Sequence, residues 1–330
     1  MSDRHVQRSD YVGVLMIGDP HLEGRAPGFR KDDYPRVILE KFRWCVSYAQ
    51  SNRLLPVVLG DLFDKPRDNP TWMIGELIEV LAGVGCIGIY GNHDCADPEL
   101  SDHDSLSLLV KARSIRLLDD APWIGTMNGR AVVIGGSSYR LAIPDQFVVP
   151  TDGSAAADGS ERPIVFWITH HDILVPGYEE HGRLKPRAID RIDVVINGHI
   201  HRRLDDVQCG ETLWITPGNI SRRSRSDAAT AHSPAALRID ITSGGYTRTM
   251  IEVPHAKHED VFHAAVIDES IEHDPSLSRF IAGLAELQKR RTESGSGLVA
   301  FLEKNVSQFE QPVADEIMRL AKEVTTDATE

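Results

Sequence analysis

Five short polar motifs occur in a fixed order along this chain. They are Gly18-Asp19-Pro20-His21, Gly60-Asp61-Leu62-Phe63-Asp64, Gly91-Asn92-His93-Asp94, His170-His171 and Gly198-His199-Ile200-His201. Four of the five clearly follow an apolar, β-branched run, which is a strand signal. Carboxylate, amide and imidazole groups are thereby placed on loops at the ends of successive strands of one sheet. Helical spacing over 33–52 and 71–82 separates the first three runs. The resulting β-α-β-α-β order is that of an α/β sheet with a site in the crevice beyond its strand ends. Together the motifs supply enough ligands for two metal ions sharing one carboxylate.

Further along, 102–111 reads as a helix, and 131–134, 163–169 and 192–196 read as strands. Between them 151–162 is rich in Gly, Ser, Ala and Asp and reads as a surface loop. Residues 212–216, 235–241 and 246–253 look like antiparallel strands, the last two joined at Ser243-Gly244-Gly245. The pattern predicts an α/β fold, a four-layer α-β-β-α sandwich of two packed mixed sheets with a C-terminal helical appendage. The character changes after Pro254, so the reading is a catalytic domain over 1–254 and a helical region over 255–330. Phe262, Val266, Phe280, Leu284 and Leu287 in that region could pack on the core or form a face for a partner.

The 330-residue chain has a net charge of −13, which counts against a generally basic nucleic-acid-binding surface. The basic residues are unevenly placed, however. Lys65 and Arg67, Arg183, Lys185, Arg187 and Arg191, Arg202 and Arg203, and Arg222, Arg223 and Arg225 gather after or between the motifs. They would form a locally positive face if the motif loops share one, or else are solvated charges paired with Asp68, Asp190 or Asp205. No apolar run approaches the roughly 18–20 residues that span a bilayer. The polar start, 1–10, lacks the apolar stretch of a secretory signal, so a cytoplasmic protein is expected. Cys45, Cys86, Cys95 and Cys209 show no C-x-x-C spacing and read as reduced thiols.

Mixed carboxylate, amide and imidazole donors suit Mn²⁺, Fe²⁺ or Zn²⁺. Two such ions, roughly 3.5–4 Å apart, can activate a water and neutralise charge on a phosphoryl group. A histidine that is not a ligand can protonate the leaving group. In order and spacing the motifs resemble the calcineurin-like metallophosphoesterase superfamily, whose pattern is D-x-H, G-D-x-x-D, G-N-H-[DE], a later His, and G-H-x-H. The resemblance implies that Asp19, His21 and His201 bind the first ion, that Asp61 bridges, and that Asn92, His170 and His199 bind the second. It makes His93 the general acid, oriented by Asp64, with Asp94 behind them. Taken alone, Asp64 and Asp94 could equally be helix caps. His171 reads as a neighbour of the ligand, and His181 as a loop residue that could reach substrate.

Within the superfamily the chain looks most like the SbcD-type exonuclease subunit of DNA-break processing complexes, of bacterial or phage type. The features are Lys65-Pro66 and Pro70 after the second motif, Asp94 in the third, and Trp214-Ile215-Thr216-Pro217-Gly218-Asn219 after the last. Asn219 stands where that group usually has Ser. The resemblance implies a Mn²⁺-dependent DNA exo- or endonuclease, a homodimer, and an SbcC-type coiled-coil ATPase as partner. Two other readings stand beside it. One is a phosphatase or a small-molecule or cyclic-nucleotide phosphodiesterase on the same scaffold. The other is a non-catalytic interaction module.

Overall fold

The computed structural model describes residues 11–27, 30–119, 121–148, 162–179, 182–223 and 231–263, with 302, 313, 314 and 317–319 near the C-terminus. The chain divides into two units, Met1–His263 and Ala264–Glu330. The first unit holds two six-stranded mixed sheets. One is built on β1 (Gly13–Ile17), β2 (Leu54–Val58), β3 (Ile87–Gly88) and β4 (Arg116–Leu117). The other is built on β5 (Trp123–Met127), β6 (Arg130–Ser137), β7 (Ile164–Thr169), β8 (Val194–Asn197), β9 (Val207–Cys209) and β10 (Thr212–Ile215). The hairpin β11 (Ala235–Thr242) and β12 (Gly245–Glu252) completes the first sheet, in the order β12-β11-β1-β2-β3-β4. The second sheet runs β5-β6-β7-β8-β10-β9.

Strand periodicity explains the layering. Alternate side chains of a strand point to opposite faces. In β1, Leu15 and Ile17 pack under α1 (Tyr34–Ser51), α2 (Thr71–Leu81) and α3 (Ser105–Lys111), while Val14 and Met16 face the other sheet. Phe166 and Ile168 of β7 and Val194 and Ile196 of β8 meet them in the layer between the sheets. Val165 and Val195 point outward, where Ile143, Ile173, Val175, Ile189 and Ile200 cover them. Those covering residues lie in loop segments, so the outer face of the second sheet is clothed by loops among the described residues.

The structure redistributes three strands. The β11–β12 hairpin does not join the second sheet. β11 pairs antiparallel with β1, placing Leu237 and Ile239 between the sheets. β10 is parallel to β8 and antiparallel only to β9. β5 was not legible as a run because Gly125 and Thr126 interrupt its apolar residues. Its signal is the turn that ends it: Asn128 and Gly129 take φ of 49° and 80°, the left-handed pair that closes a tight hairpin. The third strand shrinks from the expected 85–90 to two residues, with Gly85 just before it at φ 74°.

Beyond β12 the first unit's described residues give one helical turn, His258–Val261, and the few described residues near the C-terminus, 302, 313, 314 and 317–319, are also helical. Phe262 is buried and lies beside the Arg30 guanidinium, 5.1 Å from its ring, so it belongs to the first unit's own packing. Val266, Phe280, Leu284 and Leu287 lie outside the described residues, as do His181, Arg225 and the loop 151–161. No helix among the described residues is long and apolar enough to cross a membrane.

Candidate metal centre

The strand register brings the motifs together. β1, β2 and β3 are parallel neighbours, with Ile17 opposite Val58 and Val58 opposite Gly88. The residues just past these ends, Asp19, Asp61 and Asn92, therefore emerge side by side. In the second sheet Thr169 lies opposite Asn197, which sets His170 beside Gly198 and His199. Both sheets thus deliver donors to one edge. Asp19, His21, Asp61 and His199 hold left-handed backbone, with φ of 33°, 48°, 48° and 69°. Such conformations cost roughly 1–2 kcal/mol each for residues with a β-carbon, and they turn the donors out of the strand direction. Close approach demands glycine at Gly91, where a β-carbon would sit 2.1 Å from Asp61 Oδ1.

Asp19, His21, Asp61 and His170 form a fully buried floor, and Asn92, His93 and His199 stand half-buried at the rim with the more exposed His201. Two donor groups share Asp61: His21, Asp61 and His93 in one, and Asp61, His170 and His199 in the other. His201 turns Nε2 to 2.9 Å from His21 Nε2. On the other side Asn92 Oδ1 is 3.2 Å from His170 Nε2 and 3.0 Å from His199 Nδ1. Asp61 Oδ2 lies 3.2 Å from His170 Nε2 and 3.5 Å from His21 Nε2. Asp19 Oδ1 accepts from the His199 backbone N–H at 3.1 Å. Of the neighbouring pair, His170 faces the centre, and His171 points its Nε2 at Leu141 O, 3.0 Å away.

The donor set fits divalent ions. The buried oxygens Asp19 Oδ2 and Asp61 Oδ2 have no hydrogen-bond partner, and buried polar atoms are rarely left so. Two imidazole nitrogens facing each other at 2.9 Å cannot both be donors, but both can be ligands. Burial pushes the Asp19 carboxyl up to about 7 and the His21 ring down to about 4. Burial also opposes charge on Asp61 and His170. There the mutual attraction wins: Asp61 is held well below the usual carboxylate range, and His170 is raised to about 10. Metal ligation at this pair would displace any proton from His170 Nε2.

The residues behind this set differ in part from the sequence-based expectation. His93 is oriented by Asp64, but its Nδ1 donates to the Asp64 main-chain oxygen at 2.8 Å, while the carboxylate is 3.5 Å away. The Asp64 carboxylate instead faces His21 Nδ1 at 3.2 Å and Arg223 at 2.5 Å. The Asp94 carboxylate accepts from the backbone N–H groups of Leu62, Phe63 and Gly91. It therefore staples the second motif loop to the third. Three residues were not singled out from sequence. Asp172 Oδ1 accepts from His199 Nε2 at 2.8 Å, and that bond holds the Asp172 carboxyl below its ordinary value. Buried Asn197 ties the His170 and His199 loops through Thr169, His171 and Gly198. From sequence, Arg223 is only one of a basic cluster. A polar residue two places past a motif histidine was the one available signal, for Asp172.

A family model described as calcineurin-like phosphoesterase matches residues 13–203, more than half of the chain. The chain belongs to the calcineurin-like phosphoesterase family. Metal-dependent hydrolysis of phosphoesters is the chemistry of that family, and the donor groups above are its candidate metal site. Several solved structures are similar in part. A conserved uncharacterized protein from Streptococcus pneumoniae TIGR4, described as a predicted phosphoesterase, shares 12% identity, covering 74% of this chain and 93% of that one, with a TM-score of 0.33. GAP50, the anchor in the inner membrane complex of Plasmodium, shares 10%, covering 74% and 90%, with a TM-score of 0.39. Chaetomium thermophilum Vps29 shares 13%, covering 75% and 100%, with a TM-score of 0.32. No curated protein matches.

Proposed function

We propose that this calcineurin-like phosphoesterase is a two-metal phosphodiesterase acting on DNA. The observation that carries the two-metal reading is the place of Asp61 Oδ2 between the two donor sets, 3.5 Å from His21 Nε2 and 3.2 Å from His170 Nε2. Asp19, His21 and His201 would hold the first ion, Asn92, His170 and His199 the second, and Asp61 both. Such ions, when bound, supply an activated water and neutralise phosphoryl charge, with Mn²⁺ the metal the SbcD resemblance suggests.

The protein's own groups do the rest. Asp172 accepts from His199 Nε2 and so leaves Nδ1 to face Asn92 and the second ion. His93 Nδ1 faces a carbonyl, which can only accept, so Nδ1 carries a proton. That leaves His93 Nε2 to face the leaving oxygen, the place of a general acid. The DNA reading is supported by the SbcD-like sequence features and by exposed Lys65, Arg183, Lys185, Arg202 and Arg203 on the loops that follow the motif strands. A basic rim on an acidic body suits a polyanionic backbone.

The test is hydrolysis of linear DNA, bis-p-nitrophenyl phosphate and p-nitrophenyl phosphate by the purified chain with Mn²⁺. DNA and the diester should be cleaved. His93→Ala should lower that rate by about 10²–10⁴-fold with Mn²⁺ content unchanged. Turnover of the monoester alone would overturn the nuclease reading. Loss of metal from a folded His93→Ala protein would overturn the general-acid role.

A further inference from the structure

Arg223 reaches the site from the segment after β10. That segment is fixed where Ile220 N–H donates to Gly18 O at 3.1 Å, next to the first motif. The Arg223 guanidinium meets Asp64 Oδ1 at 2.5 Å, and Glu23 Oε2 stands 3.8 Å away on the same nitrogen. Glu23 is also 3.5 Å from Lys65 Nζ, so the arginine is braced between two carboxylates. The same Asp64 oxygen faces His21 Nδ1 at 3.2 Å. His21 turns its other nitrogen to His201 and Asp61. The groups therefore form a line: Arg223, Asp64, His21, metal centre.

The chemistry of imidazole gives that line a purpose. His21 can offer a lone pair at Nε2 only while its proton sits on Nδ1, and that proton needs an acceptor. Asp64 Oδ1 is the carboxylate oxygen the fold places there, at 3.2 Å as an ion-pair approach rather than a well-aligned hydrogen bond. Asp64 is 7% exposed, and a carboxylate that deep needs a cation beside it to stay charged. Arg223 is that cation, and at 20% side-chain exposure it is itself held at the flank of the centre.

We propose that Arg223 is a positioning residue for the metal centre: by fixing the Asp64 carboxylate against His21 Nδ1, it sets the tautomer and orientation of His21. The inference rests on the two-metal reading of the site. It is separate from the orientation of His93, which uses the Asp64 main chain rather than its side chain.

The test is calorimetric titration of the metal-free full chain with Mn²⁺ alone. Wild type should take up two ions. Arg223→Met should weaken one site about tenfold and leave the other unchanged. Asp64→Asn should weaken the same site, and the double variant should be no weaker than Asp64→Asn alone, because both act through one contact. Arg223→Lys keeps the charge but not the planar fork, so it should fall between wild type and Arg223→Met; it carries the test if Arg223→Met does not fold. Wild-type Mn²⁺ binding in both Arg223 variants overturns the proposal. A raised KM with unchanged Mn²⁺ binding also overturns it, and would put Arg223 on the substrate instead. Wild type that binds fewer than two ions removes the two-metal reading and this inference with it, an outcome readily told apart from the others.

Discussion

Asp94 and His93 are adjacent in sequence and opposite in use. Asp94 spends both oxygens on backbone N–H groups of two loops, whereas His93 keeps one nitrogen for chemistry. Truncating Asp94 to Ala leaves those buried donors unpaired, at about 1–3 kcal/mol for each such group. Asp94→Ala is therefore expected to lower the urea midpoint clearly and to lose Mn²⁺, while His93→Ala keeps both. Equal stability in the two variants would contradict the staple. The candidate ligands could be named because metal donors come in few types and the motifs fix their spacing. The choice of His170 over His171 rests on its place just past the strand, as in the family, and the structure turns His170 toward the candidate centre and His171 toward Leu141 O. Asp64 was legible as a residue but not as an atom, since sequence cannot say whether the main chain or the side chain holds a neighbour. Asn197, Asp172 and Arg223 were not legible because their roles depend on contacts between loops far apart in the chain.

Among the elements, α1 and α2 were readable almost to the residue. Asp33 caps α1, and its apolar positions Ile38, Leu39, Phe42, Cys45, Val46 and Ala49 recur on one face. The short strands were not readable. A two-residue strand such as β4 carries no periodicity at all. Where β11 pairs is likewise a property of the neighbouring β1, whose edge must be covered, and not of β11's own sequence. One residue of α1 breaks the pattern. Lys41 is buried, with Nζ donating to Ile220 O at 3.2 Å, and burial beside Arg222 and Arg30 lowers its pKa to about 7. An unfolded lysine titrates at about 10.4. Between those values the unfolded chain binds more protons than the folded one, so this lysine makes stability rise with pH above about 7, by up to about 1.4 kcal/mol per pH unit. Compared with Lys41→Met, wild type should gain stability from pH 7 to pH 9 in urea titrations. Parallel stability–pH curves for the two proteins would show that Lys41 does not titrate there.

At the scale of the molecule, the centre lies across the two sheets. Asp19, Asp61 and Asn92 come from the first sheet, and His170 and His199 from the second. Bound ions would join the sheets, and binding to the folded state alone stabilises it by about 2.7 kcal/mol at a hundredfold excess over Kd. The melting temperature should therefore rise with Mn²⁺ and fall with chelator in the wild type, and should do so far less in Asp61→Ala. A melting temperature indifferent to Mn²⁺ would count against a resident metal. The strand-end placement of the donors has a wider consequence. Each donor is anchored within a few residues of a paired strand, while the long stretches between, such as those after Asp172 and after His201, carry none of them. Those stretches can change length and charge without moving the metals. A chain built this way can change its substrate by exchanging surface loops while inheriting its reaction intact.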